Sequence, residues 1–352
     1  MLVAAYVVCG FVALLVVSQC CVATAFLWRL LCFRRTCLSD EQLPKAAVVL
    51  SLRGPDPFLE GTLRGLLNLD YPDFSVHLIV DSETDPARAQ LGKILEEVLA
   101  DNVFVSILRE PLTTCGLKCS ALIQVVGELD PDIQVVAFLD ADVAPHRSWL
   151  RDLVTPLSDP GIGVTFGNRW FVPRRANAGT LVRHVWNVGG VVQVWLNRLG
   201  WAGSMALRRE VIDRTDMIEG WRHSLFDDSA VCRQLRPHGL RVHFVPGVLM
   251  ANREEIPLRT FVGWMQRQLV AAKSSGPEWR LVALHALNLT VTQLAAIALY
   301  VWAIATGDTR IAQMSGIAIL AYWGTAAMVT IAIEFAVRRI LRENGETARW
   351  PL

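Results

Sequence analysis

From residue 2 to residue 28 the chain carries no charged side chain. Such a run exceeds the ~20 apolar residues that cross a bilayer as a helix, the conformation that satisfies every backbone N–H and C=O within the segment. Two more uncharged runs, residues 281–307 and 311–333, stand near the other end, separated by Asp308-Thr309-Arg310. They read as a helical hairpin. Of all residues 53% are hydrophobic and only 19% charged, a bias that a soluble globule does not normally carry.

The first run lacks a charge before Arg29 and is followed by Arg29, Arg34 and Arg35, so it reads as a retained anchor rather than a cleaved signal peptide. Within the second run His285, Asn288 and Gln293 are expected to be hydrogen-bond partners between helices, because intramembrane polar groups face protein. Basic residues cluster after the first span (Arg29, Arg34, Arg35, Lys45), before the second (Lys273, Arg280) and after the third (Arg338, Arg339, Arg342), whereas the hairpin loop holds only Arg310. The positive-inside rule then predicts an integral membrane protein of three spans, N-terminus outside, with the central region and the C-terminus cytosolic. The expected parts are an anchor (1–33), a catalytic domain (44–256), an interface helix (257–279), a two-helix hairpin (280–336) and a cytosolic tail (337–352).

Lys and Arg total 34 against 33 Asp and Glu, a balance that argues against nucleic acid as a partner. The eight cysteines show no paired metal spacing, and Cys9, Cys20, Cys21 and Cys32 sit in or beside the first span. Neither a disulfide framework nor a zinc site is expected.

Four apolar, β-branched runs (46–52, 76–80, 103–108 and 135–139) alternate with segments of helical spacing (59–69 and 87–99). Buried strands separated by helices predict an α/β fold, a mostly parallel sheet with helices on both faces. Such sheets place their sites beyond the carboxyl ends of the strands. Asp81-Ser82-Glu83-Thr84-Asp85 follows the second run and Asp140-Ala141-Asp142 the fourth. Residues i and i+2 of an extended chain point the same way, so Asp140 and Asp142 present two carboxylates to one point, suited to Mg2+ or Mn2+ bridging protein and phosphate. A solvated turn is the alternative for any Asp-x-Asp triplet.

Asp227-Asp228 precedes a helical segment and reads either as catalytic acids or as a cap and first-turn acid favoured by the helix dipole. Ala202-Gly203-Ser204 begins a small-residue turn where backbone approaches a ligand closely. Lys118 is a candidate phosphate contact or a plain surface lysine. In 257–273 Phe261, Met265, Leu269 and Ala272 form a helical stripe with Trp264 at its margin, and Arg259, Gln266 and Arg267 lie away from it. That pattern predicts a helix lying in the membrane interface, with Arg267 facing either the catalytic domain or lipid headgroups. The apolar stretch 170–201 is either core or a lining for a lipid tail.

Taken in order, Leu52-Arg53-Gly54-Pro55-Asp56, Leu69-Asp70-Tyr71-Pro72, the Asp81 cluster, Lys118, Asp140-Ala141-Asp142, the stretch from Gly203 to Arg209 and Asp227-Asp228 resemble the membrane glycosyltransferases of family 2. The resemblance is strongest to the ceramide glucosyltransferases and their bacterial hopanoid-lipid counterparts, and runs from about Pro44 to Lys273. It implies a GT-A-like fold with added transmembrane helices, and a nucleotide-sugar donor contacted by Arg53, Asp81, Glu83, Lys118, Asp140, Gly203 and Ser204. It further implies a divalent metal on Asp140 and Asp142, Asp228 as general base beside Asp227, and Arg267 as a catalytic contact. The final family motif, Gln/Arg-x-x-Arg-Trp, keeps only its arginine here, in Trp264-Met265-Gln266-Arg267-Gln268. The resemblance implies an inverting enzyme that moves a sugar from a nucleotide-diphosphate donor, UDP-linked, to a lipid hydroxyl, with the bilayer and a membrane lipid as partners. Two competitors are a polyprenyl-phosphate glycosyltransferase and a non-catalytic scaffold retaining the fold.

Overall fold

The computed structural model describes all residues except 98, 99, 174, 176, 278 and 348–352. The chain divides into two compact units, residues 1–32 with 277–337, and residues 33–276 with 338–352.

The first unit holds α1 (Leu2–Leu31), the helix Trp279–Thr306 and the helix Thr309–Glu343 as far as Val337, each helix long and apolar enough to cross a membrane. The last runs to Glu343, past the expected hairpin boundary at residue 336. The polar links of this unit are not those expected. Gln293 is buried, yet among the described residues its side-chain amide has no hydrogen-bond partner, and Asn288 accepts from Thr292 in its own helix. Gln19 Nε2 donates to the Tyr322 hydroxyl at 2.7 Å, and Arg310 donates to the Tyr6 hydroxyl at 2.7 Å.

The second unit is built on seven strands: β1 (Ala46–Leu52), β2 (Phe74–Val80), β3 (Val103–Ile107), β4 (Val135–Leu139), β5 (Ile162–Phe171), β6 (Ser204–Arg208) and β7 (Arg241–Asn252). They lie in the order β3-β2-β1-β4-β6-β5-β7. Only β6 runs against the rest, pairing antiparallel with both β4 and β5. The first four strands match the predicted runs. Every residue of β1 except Ser51 is buried, as is every residue of β4, so both faces of the sheet are covered, which is what continuous apolar runs require. At the edge β3 is half exposed.

Helices α2 (Leu59–Leu67), α3 (Pro86–Glu97), α4 (Leu117–Glu128) and α5 (Trp149–Val154) join or follow these strands. Next come α6 (Ala178–Leu196), α7 (Arg209–Arg214), α8 (Met217–Arg222), α9 (Asp227–Leu235) and α10 (Leu258–Ser274). The final two predicted residues of α3 lie outside the described residues. The small-residue turn expected over 202–209 is confined to its start. From Ser204 onward the segment is β6, because each residue from Ser204 to Leu207 finds a ladder partner and a buried place.

The segment 170–201 splits. Trp170 and Phe171 end β5, and α6 buries Arg183, Asn187, Val188, Val191 and Val192 while Leu181, Val182 and Val185 stay exposed. Helix α10 also departs from its expected orientation. Phe261 and Trp264 are its buried residues, packed with Phe171, Ile256 and Trp186, so the predicted lipid stripe is spent largely on the protein. Leu258, Val262, Leu269 and Val270 are the exposed large apolar side chains, the first three recurring on one face at i, i+4 and i+11.

The C-terminal residues cover the open edge of β7. Asn344 Nδ2 donates to Gly247 O at 2.9 Å, its Oδ1 accepts from Arg35 at 2.5 Å, and Glu346 accepts from Ala251 N at 3.1 Å. An edge strand left open is a template for unwanted pairing. Burial raises the Glu346 carboxyl to about 7. Asn344→Ala removes two links and is expected to cost ~1 kcal/mol, a fall of ~2–4 °C in Tm. An unchanged Tm in the solubilised protein would show that this edge cover does not stabilise the fold.

Candidate active site

The carboxyl ends of β2 and β4 carry the expected acids. Asp81 stands one residue beyond β2 with Arg53 Nε 3.3 Å from its carboxylate, and burial raises its pKa against the opposing pull of Arg53. Asp85 accepts from Gly54 N and Ala87 N, both at 2.8 Å, which ties the loop after β1 to the start of α3. Glu83 is different. It is exposed and paired with Arg88 at 2.9 Å, a solvated contact on the helix surface.

Beyond β4, Thr62 of α2 sets its hydroxyl 2.7 Å from Ala141 O and 2.8 Å from Val143 O, fixing the Asp140-Ala141-Asp142 loop. Gly203 closes the other side. A Cβ there would lie 2.1 Å from the Trp201 ring and 2.5 Å from Asp140 Oδ2, so only glycine permits this packing. Ser204 is fully buried, and its hydroxyl accepts from Trp149 Nε1 at 2.9 Å. Its side chain therefore belongs to the core and does not reach a donor.

The two carboxylates of the triplet have separate partners. Asp140 Oδ1 accepts from Lys118 Nζ at 2.7 Å, and the same ammonium lies 3.0 Å from Asp227 Oδ2. Lys118 is thus a bridge between the triplet and the second acidic pair rather than a surface lysine. Its placement follows from Gly116, where a Cβ would meet Leu225 O at 2.2 Å and whose N donates to Ser224 O at 2.8 Å. This close approach draws the start of α4 under the start of α9. Burial works against the Lys118 charge, but Asp140 and Asp227 outweigh it and raise its pKa. Burial also disfavours the Asp140 charge, and Lys118 reverses that, holding its pKa below the ordinary value.

Asp142 faces the other way. Its Oδ2 accepts from Arg169 at 3.2 Å and from Asn252 Nδ2 at 3.0 Å. Its Oδ1 is buried with no hydrogen-bond partner among the described residues, and burial raises its pKa despite Arg169.

The cap reading of Asp227-Asp228 is not what the chain adopts. Phe226 is the N-cap and both acids lie in the first turn of α9. Asp227 points to Lys118, while Asp228 Oδ1 accepts from Ser229 N at 2.7 Å. Burial and the neighbouring Asp227 charge raise the Asp228 carboxyl to about 7, against Lys118. A carboxyl ionising near neutrality is matched to general-base work.

Sequence reasoning missed Arg169 and Asn252, which hold Asp142 from β5 and β7, and also Arg183 and Glu254. Arg267, which it singled out, lines a pocket of about 480 Å³ together with Asp142, Arg169, Arg183, Arg259 and Trp264. It therefore faces the catalytic unit. Its charge also acts on Asp140.

A mostly parallel sheet with one reversed strand beside β4, and acidic groups gathered beyond its carboxyl ends, defines a GT-A-type fold. The chain belongs to glycosyl transferase family 21, whose family model matches residues 10–352. It is similar to the "Probable glycosyltransferase YdaM" of Bacillus subtilis (strain 168), with 25% identity over 241 residues, 64% of this chain and 54% of that protein. The match thus spans about half the length of that curated relative. Among solved structures the fold resembles that of the mannosyltransferase PcManGT from Pyrobaculum calidifontis in complex with GDP-Man and Mn2+. That likeness has 17% sequence identity and a TM-score of 0.57, and covers 96% of this chain and 98% of the other.

Proposed function

We propose that the protein is an inverting glycosyltransferase that moves a sugar from a nucleoside-diphosphate donor, most simply UDP-linked, to the hydroxyl of a membrane lipid at the cytosolic face. The observation that carries this reading is the link from Asp140 through Lys118 to Asp227, with Asp228 beside it and raised to about 7. It couples the expected donor site to the expected base. In one displacement the acceptor oxygen bonds to the anomeric carbon, the bond to the diphosphate breaks, and Asp228 takes the acceptor proton. No covalent sugar-enzyme intermediate is needed.

The residues fit Mg2+ or Mn2+. Asp142 Oδ1 is a buried carboxylate oxygen without a partner, and no described group of three or more His, Cys, Asp or Glu forms a closed metal cage. That suits a hard cation held by one or two carboxylates plus donor phosphates. When bound, the ion would offset the charge that develops on the leaving diphosphate. Asp142 would be its holder, steadied by Asn252 and Arg169, and Asp140 would share the task once the donor loosens its bond to Lys118. The complex of PcManGT with GDP-Man and Mn2+ supports this assignment.

Purified protein incubated with a panel of radiolabelled nucleotide sugars and total membrane lipid is expected to yield a labelled lipid from one donor. No labelled product from any donor would overturn the reading and favour a scaffold. The exposed apolar side chains Leu181, Val182 and Val185 of α6 and Leu258, Val262 and Leu269 of α10 support placement of this unit on the bilayer surface.

Topology has its own test. With Cys21, Cys32 and Cys37 replaced by serine, a membrane-impermeant thiol reagent applied from the non-cytosolic side is expected to label Thr309→Cys but not His223→Cys. Both positions are exposed. The reverse pattern would put the catalytic unit on the wrong side for a cytosolic donor.

A further inference from the structure

Asp228 is held by the residue that follows it. Its Oδ1 accepts from Ser229 N at 2.7 Å, one of the first-turn amides that a helix leaves without a partner, and the Ser229 hydroxyl stands 3.3 Å from the same oxygen. That hydroxyl is buried and also reaches α10, where it lies 3.0 Å from Ala271 O and 3.1 Å from Ser275 Oγ. Ser275 is buried as well, with its own hydroxyl 3.0 Å from Ala271 O. Two hydroxyl protons thus serve a cluster of closely spaced oxygens.

A hydroxyl has one proton to give and two lone pairs to accept with, so these contacts cannot all be made at once. In one arrangement Ser275 donates to Ala271 O and Ser229 to Ser275 Oγ, and Asp228 Oδ1 keeps the Ser229 amide alone. In the other Ser229 donates to Asp228 Oδ1 and Ser275 to Ser229 Oγ, so the carboxyl gains a second donor. A hydrogen bond to an ionised acceptor is roughly twice as strong as one between neutral groups. Charge on Asp228 therefore selects the second arrangement, and its protonation restores the first.

The frame around the hydroxyls is fastened. Arg233, further along α9, donates to Ser274 O at 2.8 Å and to Ser224 Oγ at 3.2 Å, tying the end of α10 to α9 and to the loop before it. The hydroxyls can then turn without either helix moving. Asp227 on the same helix, Lys118 on α4 and Asp140 beyond β4 act on Asp228 through their charges. Lys273, the basic residue in the last turn of α10, is exposed, so that turn meets the base through Ser275 and Ala271 O.

Resting on Asp228 as the base proposed above, we infer that Ser229 is a positioning residue of the transfer, its hydroxyl turned to Asp228 while the base is ionised and back to Ser275 once the acceptor proton arrives. Ser229 and Ser275 keep their own protons throughout, so the acceptor proton ends on Asp228. Both Ser229 contacts fall on Oδ1, which leaves Oδ2 as the oxygen that receives it.

The test uses the full chain in phosphatidylcholine nanodiscs. Infrared difference spectra follow titration of the Asp228 carboxyl, its band assigned by its loss in Asp228→Asn, beside transfer rate against pH and UDP–Mn2+ affinity. Ser229→Ala removes the hydroxyl donor to the ionised form. The carboxyl midpoint and the acidic limb of kcat are then expected to rise together by about one pH unit, while UDP–Mn2+ affinity changes less than twofold. Ser275→Ala keeps the Ser229 donor and is expected to move both by less than half as much. With Asp228→Asn and Ser229→Ala combined, transfer is expected to be no slower than in Asp228→Asn alone, because Ser229 acts only through the base. An unmoved midpoint in Ser229→Ala, beside a native acidic limb, would overturn the inference alone. So would a fall in UDP–Mn2+ affinity that matches the loss of rate, which would make Ser229 a packing residue of the whole site. A native rate with no acidic limb at the carboxyl midpoint would instead overturn the base reading, and the part of Ser229 in the reaction with it.

Discussion

Asp228→Asn is expected to transfer sugar at least ~10²-fold more slowly than the native chain while keeping its affinity for the nucleotide. The substitution preserves side-chain shape and can still accept from Ser229 N, the 2.7 Å bond seen here, but it cannot take a proton. The pH profile gives an independent readout. Burial, then the Asp227 charge, raise the Asp228 carboxyl to about 7, and a base works only when ionised, so native kcat is expected to fall as pH drops through 7. Asp227→Asn removes one of the causes of that shift and is expected to move the acidic limb downward, with a smaller loss of rate. Stability follows the same carboxyl in the opposite sense. The folded chain keeps a proton that the unfolded chain releases above its ordinary value of 3.8, so this group costs stability as pH rises from about 4 to 7. Asp228→Asn escapes that cost, and its Tm relative to the native chain is expected to rise across this window and level off above it. Equal small losses of rate in both variants, with an unmoved pH limb, would return the pair to a structural role.

Removal of divalent metal is expected to abolish transfer, and Mg2+ or Mn2+ to restore it. The expectation rests on Asp142, whose Oδ2 is taken by Asn252 and Arg169 while Oδ1 has no partner. An ion arriving with the donor would meet that oxygen. Asp142→Asn is therefore expected to weaken nucleoside-diphosphate binding at least tenfold in the presence of metal. In chelator the native and variant affinities should coincide, a comparison that does not depend on turnover. Undiminished transfer in excess chelator would remove the metal from the mechanism and leave Lys118, already bonded to Asp140 at 2.7 Å, as the cation nearest the triplet.

Much of this architecture was legible from local pattern. An uncharged run of helix length has one stable conformation in lipid, so the three helices long and apolar enough to cross a membrane are readable before any packing is known. Continuous apolar β-branched runs demand burial on both faces, and β1 and β4 are buried in that way. The acids Asp81, Asp140 and Asp142 were found because strand ends in such sheets are where sites form.

The partners of those acids depend on long-range packing that local pattern does not encode. Arg169 lies within a strand whose register shifts just before Asn168, and Asn252 is 110 positions from the Asp142 that it holds. Either looks like any other polar side chain in sequence. The α10 stripe was misread because hydropathy reports which residues leave water, not whether protein or lipid receives them. Phe261 and Trp264 went to Phe171, Ile256 and Trp186. The long apolar helices, the parallel half of the sheet and its strand-end acids are therefore readable from neighbours along the chain. The bridge that Lys118 makes between two acidic sites and the gathering of four arginines at one pocket arise from strand order and helix docking, which bring together residues far apart in sequence.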